Sequence, residues 1–124
     1  MGIEVAVADL GPTRRGAYYD DLDLIVVSDR LSMPQFVTTL AHEIGHAIRC
    51  DRESTPVTER SADEKGASLI ITPDEYAEAE RIAGEHPTAI AHELGDVTGR
   101  LVLAWQRWWE KAGGVLDGLG REAA

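Results

Sequence analysis

The chain has 124 residues, 44% hydrophobic and 27% charged, with a formal net charge of −10. That size suits one domain with its own core, and the acidity argues against nucleic acid as a partner. No apolar run approaches the roughly 20 residues of a membrane span, nothing after Met1 resembles a secretion signal, and a single cysteine excludes an internal disulfide. One domain over residues 1–112 is expected, with a glycine-interrupted tail at 113–124 that frays, no membrane attachment, and the reducing cytoplasm as its location.

The first third reads as strands. Ile3–Val7 alternates enough for a short strand, Gly11-Pro12 marks a turn, and Gly16–Tyr19 and Leu24–Val27 carry the β-branched and aromatic content of two more. A helix over 34–49 follows, with Ser32 as N-cap and Pro34 in the first turn, where a missing N–H is harmless. Phe36, Val37, Leu40, Ala41, Ile44, Ala47 and Ile48 give it an apolar stripe at three- and four-residue spacing. Gly45 in its interior costs about 1 kcal/mol relative to alanine, which fits a site where another segment must come close.

Inside this helix stands His42-Glu43-Ile44-Gly45-His46, an HExxH pentapeptide. Positions four apart share a helix face, so both imidazoles can aim at one metal ion, Zn²⁺ above all. Glu43 sits about 100° around the helix, placed to serve as general base without ligating the metal. A catalytic zinc site needs a third protein ligand, and Cys50, Asp51, Glu53, Glu59, Asp63, Glu64, His86 and His92 are the downstream candidates. Cys50 lies two turns beyond His42, about 12 Å along the axis at 1.5 Å per residue, too far for all three to share one ion. Glu59 is the preferred ligand. It opens Glu59-Arg60-Ser61-Ala62-Asp63 in a second helix over 58–71, capped by Thr58, with Ala62, Ala67, Leu69, Ile70 and Ile71 as its apolar content. Asp63, one turn on, can hold His42 or His46 at the other ring nitrogen.

Three more helices are predicted, at 73–84, 87–95 and 98–112. Thr72 and Glu75 form a capping box for the first, and Gly95 ends the second. His92-Glu93-Leu94-Gly95-Asp96 echoes the metal motif but has Asp96 in place of its second histidine. His86, Tyr76 and the Tyr18-Tyr19 pair stand open as catalytic helpers. Residues 73–96 hold seven acids against Arg81 alone, so no nucleic-acid contact is expected there. All three tryptophans fall in the last helix, and its wide apolar arc is read as core.

These segments together resemble the ImmA/IrrE family of compact metallopeptidases of phages and mobile elements. The likeness runs from about Ile3 to Pro73 and rests on Thr38-Thr39-Leu40-Ala41-His42-Glu43-Ile44-Gly45-His46-Ala47, Glu59-Arg60-Ser61-Ala62-Asp63 and Ala67-Ser68-Leu69-Ile70-Ile71-Thr72-Pro73. Lys65-Gly66 departs from the aromatic usual nearby in the family, and Ile71-Thr72-Pro73 departs from its Met-Pro stop. The likeness and the spacing together predict an α+β fold, a small antiparallel sheet packed on a helical group that carries the zinc helix, with an edge strand able to take an extended peptide. The resemblance further implies a zinc peptidase acting on a protein substrate, a repressor in that family. A zinc-dependent regulatory or binding module that cleaves little is the alternative reading, and an amidase of non-peptide substrates is a third.

Overall fold

Four of the five helices among the described residues start with one local device: a side chain that caps, then a proline in the first turn. Ser32 with Pro34, Thr55 with Pro56, Thr72 with Pro73 and His86 with Pro87 each supply an acceptor for an otherwise orphaned N–H. The structure, a computed structural model, describes residues 2–114. Its elements are β1 (Glu4–Ala8), β2 (Gly16–Tyr19), β3 (Leu24–Ser28), α1 (Met33–Arg49), α2 (Pro56–Ile70), α3 (Pro73–Ala83), α4 (Pro87–Leu94) and α5 (Gly99–Lys111). The fold is α+β, as expected. The tail from residue 115 onward lies outside the described residues.

Two expectations are corrected. The second helix begins at Pro56 rather than at 58, because Thr58 is the N3 residue of a capping box: Thr55 caps it, and the Thr58 hydroxyl accepts from the Thr55 N–H at 2.8 Å. The sheet is mixed rather than antiparallel, in the order β1-β3-β2. β2 and β3 form the antiparallel pair, whereas β3 lies parallel to β1, with Val5 opposite Ile25 and Val7 opposite Val27. The physical reason is the connection after β1. Asp9 accepts from the Gly11 N–H at 2.8 Å and pairs with Arg30, holding a wide turn that leaves room for β3 between the other strands. Ser28 then donates to the Arg15 carbonyl at 2.7 Å and Asp29 to the Ala8 carbonyl at 3.0 Å, stitching both neighbours to the same strand.

α1 separates two apolar cores. Toward the sheet, Ala47 with the partly buried Phe36, Leu40 and Ile44 packs on Ile25 and Val27. Toward the helices, Ala41 joins Ala67, Ile71, Tyr76, Ile90, Leu101 and Trp105. Trp105 is fully buried, stacks on Tyr76 at 4.2 Å and donates its indole N–H to the Ile71 carbonyl at 2.9 Å. Trp108 and Trp109 pack at the margin of that core. Leu69 and Ile70, counted in sequence as apolar content of α2, are exposed instead, and α2 buries Asp63 and Glu64. Cations on α5 explain this: Arg100 pairs with Asp63, and Arg107 and Lys111 pair with Glu64. Among the described residues no helix is long and apolar enough to cross a membrane.

α1 and α2 meet backbone to backbone. A Cβ added at Gly45 would strike the carbonyl of Ala62, and one added at Gly66 would strike the carbonyl of Ala41. Any side chain at either position forces the helices apart. Gly45→Ala and Gly66→Ala are therefore each expected to lower unfolding free energy by about 1–3 kcal/mol, the usual cost of overpacking, despite alanine's better helix propensity. Urea denaturation measures this, and unchanged stability in both variants would contradict the close crossing.

Candidate metal centre

Because His42 and His46 are one turn apart on α1, their rings meet edge to face with centroids 4.6 Å apart and their Nε2 atoms 3.0 Å apart. Glu59, in the first turn of α2, reaches across the glycine crossing. Its Oε1 lies 3.4 Å from Nε2 of His42 and its Oε2 2.5 Å from Nε2 of His46. One donor atom from each of the three residues falls within 4.8 Å of the others, so this group can hold a metal ion.

Hydrogen bonding on the far side of each ring decides how those nitrogens are presented. His42 Nδ1 lies 2.6 Å from Asp63 Oδ1, and His46 Nδ1 lies 3.0 Å from Asp51 Oδ2. An ionised carboxylate only accepts, so each Nδ1 carries a proton, and in the neutral form that binds metal each ring turns its Nε2 lone pair toward the other and toward Glu59. Glu59 Oε2, close as it is to His46, makes no hydrogen bond. Three acceptors converging without a proton to share repel one another, and a cation relieves that repulsion. The donor set thus fits a divalent ion.

Arginines stand behind both carboxylates. Arg100 grips Asp63 through Nη2 at 2.9 Å and Nε at 3.3 Å, and Arg49 Nε donates to Asp51 at 3.1 Å. Burial opposes ionisation of Asp63, but the hydrogen bonds from His42 and Arg100 prevail and hold its carboxyl below the usual range. Burial likewise works against a charged His42, yet the Asp63 bond and the charges of Asp63, Glu43 and Glu59 outweigh it, so the ring's pKa is raised. Glu43 is buried, and that burial raises its pKa against the pull of the two histidines. Its Oε2 has no hydrogen-bond partner.

Two clefts flank the trio, and Glu43 and Glu59 line both. The one on the His42 side, about 340 Å³, is bordered by Gly16, Thr39, Asp63 and Arg100. The other, about 250 Å³, lies on the His46 side beside Gly16, Tyr18 and Asp51. β2 is the sheet's edge strand here, and Gly16 brings it against α1: a Cβ there would sit 2.6 Å from the Thr39 methyl and 3.4 Å from Glu43 Cγ.

The structure brings His42, Glu43, His46, Glu59 and Asp63 together and leaves the other candidates out of the ligand group. Cys50 ends α1 in the left-handed region, φ 56°, and is exposed. His86 caps α4, and His92 is exposed on that helix. Tyr76 belongs to the helical core, where burial pushes its pKa up to about 12, while Tyr18 lines the smaller cleft. Glu53 also borders that cleft. Asp51 was legible only as a candidate ligand, and its bond to the back of His46 follows from the turn at Cys50. Arg100, 37 positions from Asp63, left no local signal. No protein family, no curated protein and no solved structure matches this chain.

In a zinc titration, Glu59→Ala should lose most affinity and Cys50→Ser almost none. Asp51→Ala and Asp63→Ala should each weaken binding about 10–100-fold, as loss of a carboxylate behind a ligand histidine does. Loss of metal by Cys50→Ser with retention by Glu59→Ala would reverse the ligand assignment.

The pKa shifts fix a sign for the metal-free protein. A raised pKa at His42 contributes stability that is full below the ring's unfolded value, near 6.5, and is lost as pH climbs through the folded value. Glu43, also raised, acts in the same direction, whereas the lowered Asp63 matters only in the acid range below an ordinary carboxylate. Metal-free protein should therefore melt at higher temperature at about pH 6 than at about pH 8. Zinc should reverse the order, since its ligands bind deprotonated. Thermal melts with and without chelator test both signs.

Proposed function

We propose that this chain is a zinc-dependent peptidase of the kind the ImmA/IrrE resemblance implies, hydrolysing a peptide bond in a protein substrate. What carries this reading is Glu43, a buried carboxylate with one unbonded oxygen, next to two imidazole lone pairs and shared by both clefts. A purely structural metal site is closed by four protein ligands and has no use for such a base. Here the described residues offer His42, His46 and Glu59. Two histidines and a glutamate are a donor set that catalytic zinc takes, and that ion would supply Lewis-acid polarisation of water and of the scissile carbonyl.

The remaining work falls to the chain's own groups. Asp63 and Asp51 hold the two rings in the Nδ1–H tautomer, so both Nε2 atoms stay available as ligands. Glu43, its proton affinity raised by burial, takes a proton from the attacking water and returns it to the leaving amine. The free edge of β2 runs beside Glu43 and can bind an extended peptide by main-chain hydrogen bonds. A repressor protein is the substrate that the resemblance favours.

Glu43→Gln is the test, because glutamine keeps the shape and cannot take the proton. Zinc content should stay unchanged while peptide hydrolysis falls by about 10²–10⁴-fold. A variant that cleaves as fast as the parent would remove Glu43 from the chemistry. A parent that binds zinc and peptide but cleaves nothing would leave a binding module.

A further inference from the structure

Arg14 and Arg15 are the two residues before β2. In a chain with 22 acidic and 12 basic residues, most cations among the described residues are held in ion pairs, but these two form neither an ion pair nor a side-chain hydrogen bond. Both are exposed, and each borders one of the two clefts that flank the metal trio. Arg15 lines the cleft on the His42 side and Arg14 the cleft on the His46 side, and both also border a further cleft beside Arg30. The backbone is held at Arg15, whose carbonyl accepts from the Ser28 N–H, and at Gly16, which rests on α1. Arg14 lies near enough for Glu43 to feel its charge.

Of the carboxylates in the two linings, Asp63 is engaged by His42 and Arg100 and Asp51 by His46 and Arg49. Glu59 faces the two histidines as a ligand and Glu43 is the base of the proposed chemistry; Glu53, on the smaller cleft, is left over. We infer that Arg14 and Arg15 select the substrate, and that the preferred substrate is an extended peptide with aspartate or glutamate on either side of the bond over the metal trio. This rests on the peptidase reading and adds to it the chemistry of the sequence cleaved. The molecule as a whole repels such a peptide, so recognition depends on direct guanidinium–carboxylate contact within the screening length of about 8–10 Å, not on long-range attraction.

The test is binding, measured apart from cleavage, with the zinc-loaded Glu43→Gln protein and fluorescein-labelled dodecapeptide pools. One pool is rich in Asp and Glu, a second has Asn and Gln at those positions, and a third has Lys and Arg. The acidic pool should bind about tenfold or more tightly than the amide pool, and an Arg14→Ala/Arg15→Ala protein should shrink that ratio to about twofold. Arg60→Ala, which removes an exposed cation absent from both cleft linings, should leave the ratio intact. Unchanged melting temperature and zinc content keep the comparison to charge. Equal binding of all pools, no binding of any, or a preference that survives loss of both arginines overturns the inference. Hydrolysis of the same pools by the parent protein separates the two readings. Cleavage without charge preference sinks only the role of the arginines, and acidic preference without cleavage sinks only the peptidase.

Discussion

The geometry of the candidate metal centre hangs on the contact between the backbones of α1 and α2. With Gly45 against the Ala62 carbonyl and Gly66 against the Ala41 carbonyl, no side chain separates the two helices along their crossing. Glu59 starts one turn before Ala62 and His42 directly follows Ala41, so the crossing sets how far the carboxylate stands from the imidazoles. The same α1 rests its other flank on Ile25 and Val27, which puts the edge of β2 within reach of the site. Each glycine weakens its own helix by about 1 kcal/mol relative to alanine, a local loss offset by the packing it permits.

Charge performs a second positioning task that apolar packing leaves undone. α2 buries Asp63 and Glu64, and α5 answers with Arg100, Arg107 and Lys111 along one flank. Near the start of α5, Thr98 donates its N–H to the Thr38 hydroxyl of α1 at 3.2 Å. A helix far from the metal ligands in sequence is thereby tied to both helices that carry them. Removing one member of such a half-buried pair leaves the other poorly solvated, so these contacts constrain the register of α5 more than they add net stability.

Much of this was legible because it is local. The HExxH spacing, the Ser32 and Thr72 caps and the three strands depend on residues within a few positions of each other, and they fall where the sequence puts them. Glu59 and Asp63 were readable because their four-residue spacing presents one helical face. The parallel pairing of β1 with β3 was not, since alternation marks a strand without saying which neighbour it takes. Counting Leu69 and Ile70 as apolar content of α2 did not show which face is buried, because in α2 Asp63 and Glu64 are buried and their partners lie 37 to 47 residues away. Thr58 misled for a smaller reason: a threonine at N3 that bonds back to the true cap has the composition of a cap itself.

The turn at Cys50 shapes the chain's behaviour before it folds. By ending α1 in the left-handed region it turns the backbone at once, so that His42, His46 and Glu59, all within positions 42 to 59, can meet in space. Closing so short a loop takes little chain entropy, and Cys50 lies inside it as a further soft donor once the helix is undone. Any metal affinity that such closely spaced donors keep in the unfolded chain counts against the folded state. Mass action rewards only the difference between folded and unfolded affinities, so to that extent a bound ion raises the stability of this fold by less than its dissociation constant alone implies. In exchange, an ion can gather the α1–α2 hairpin early, before the distant cations of α5 have arrived to hold Asp63 and Glu64.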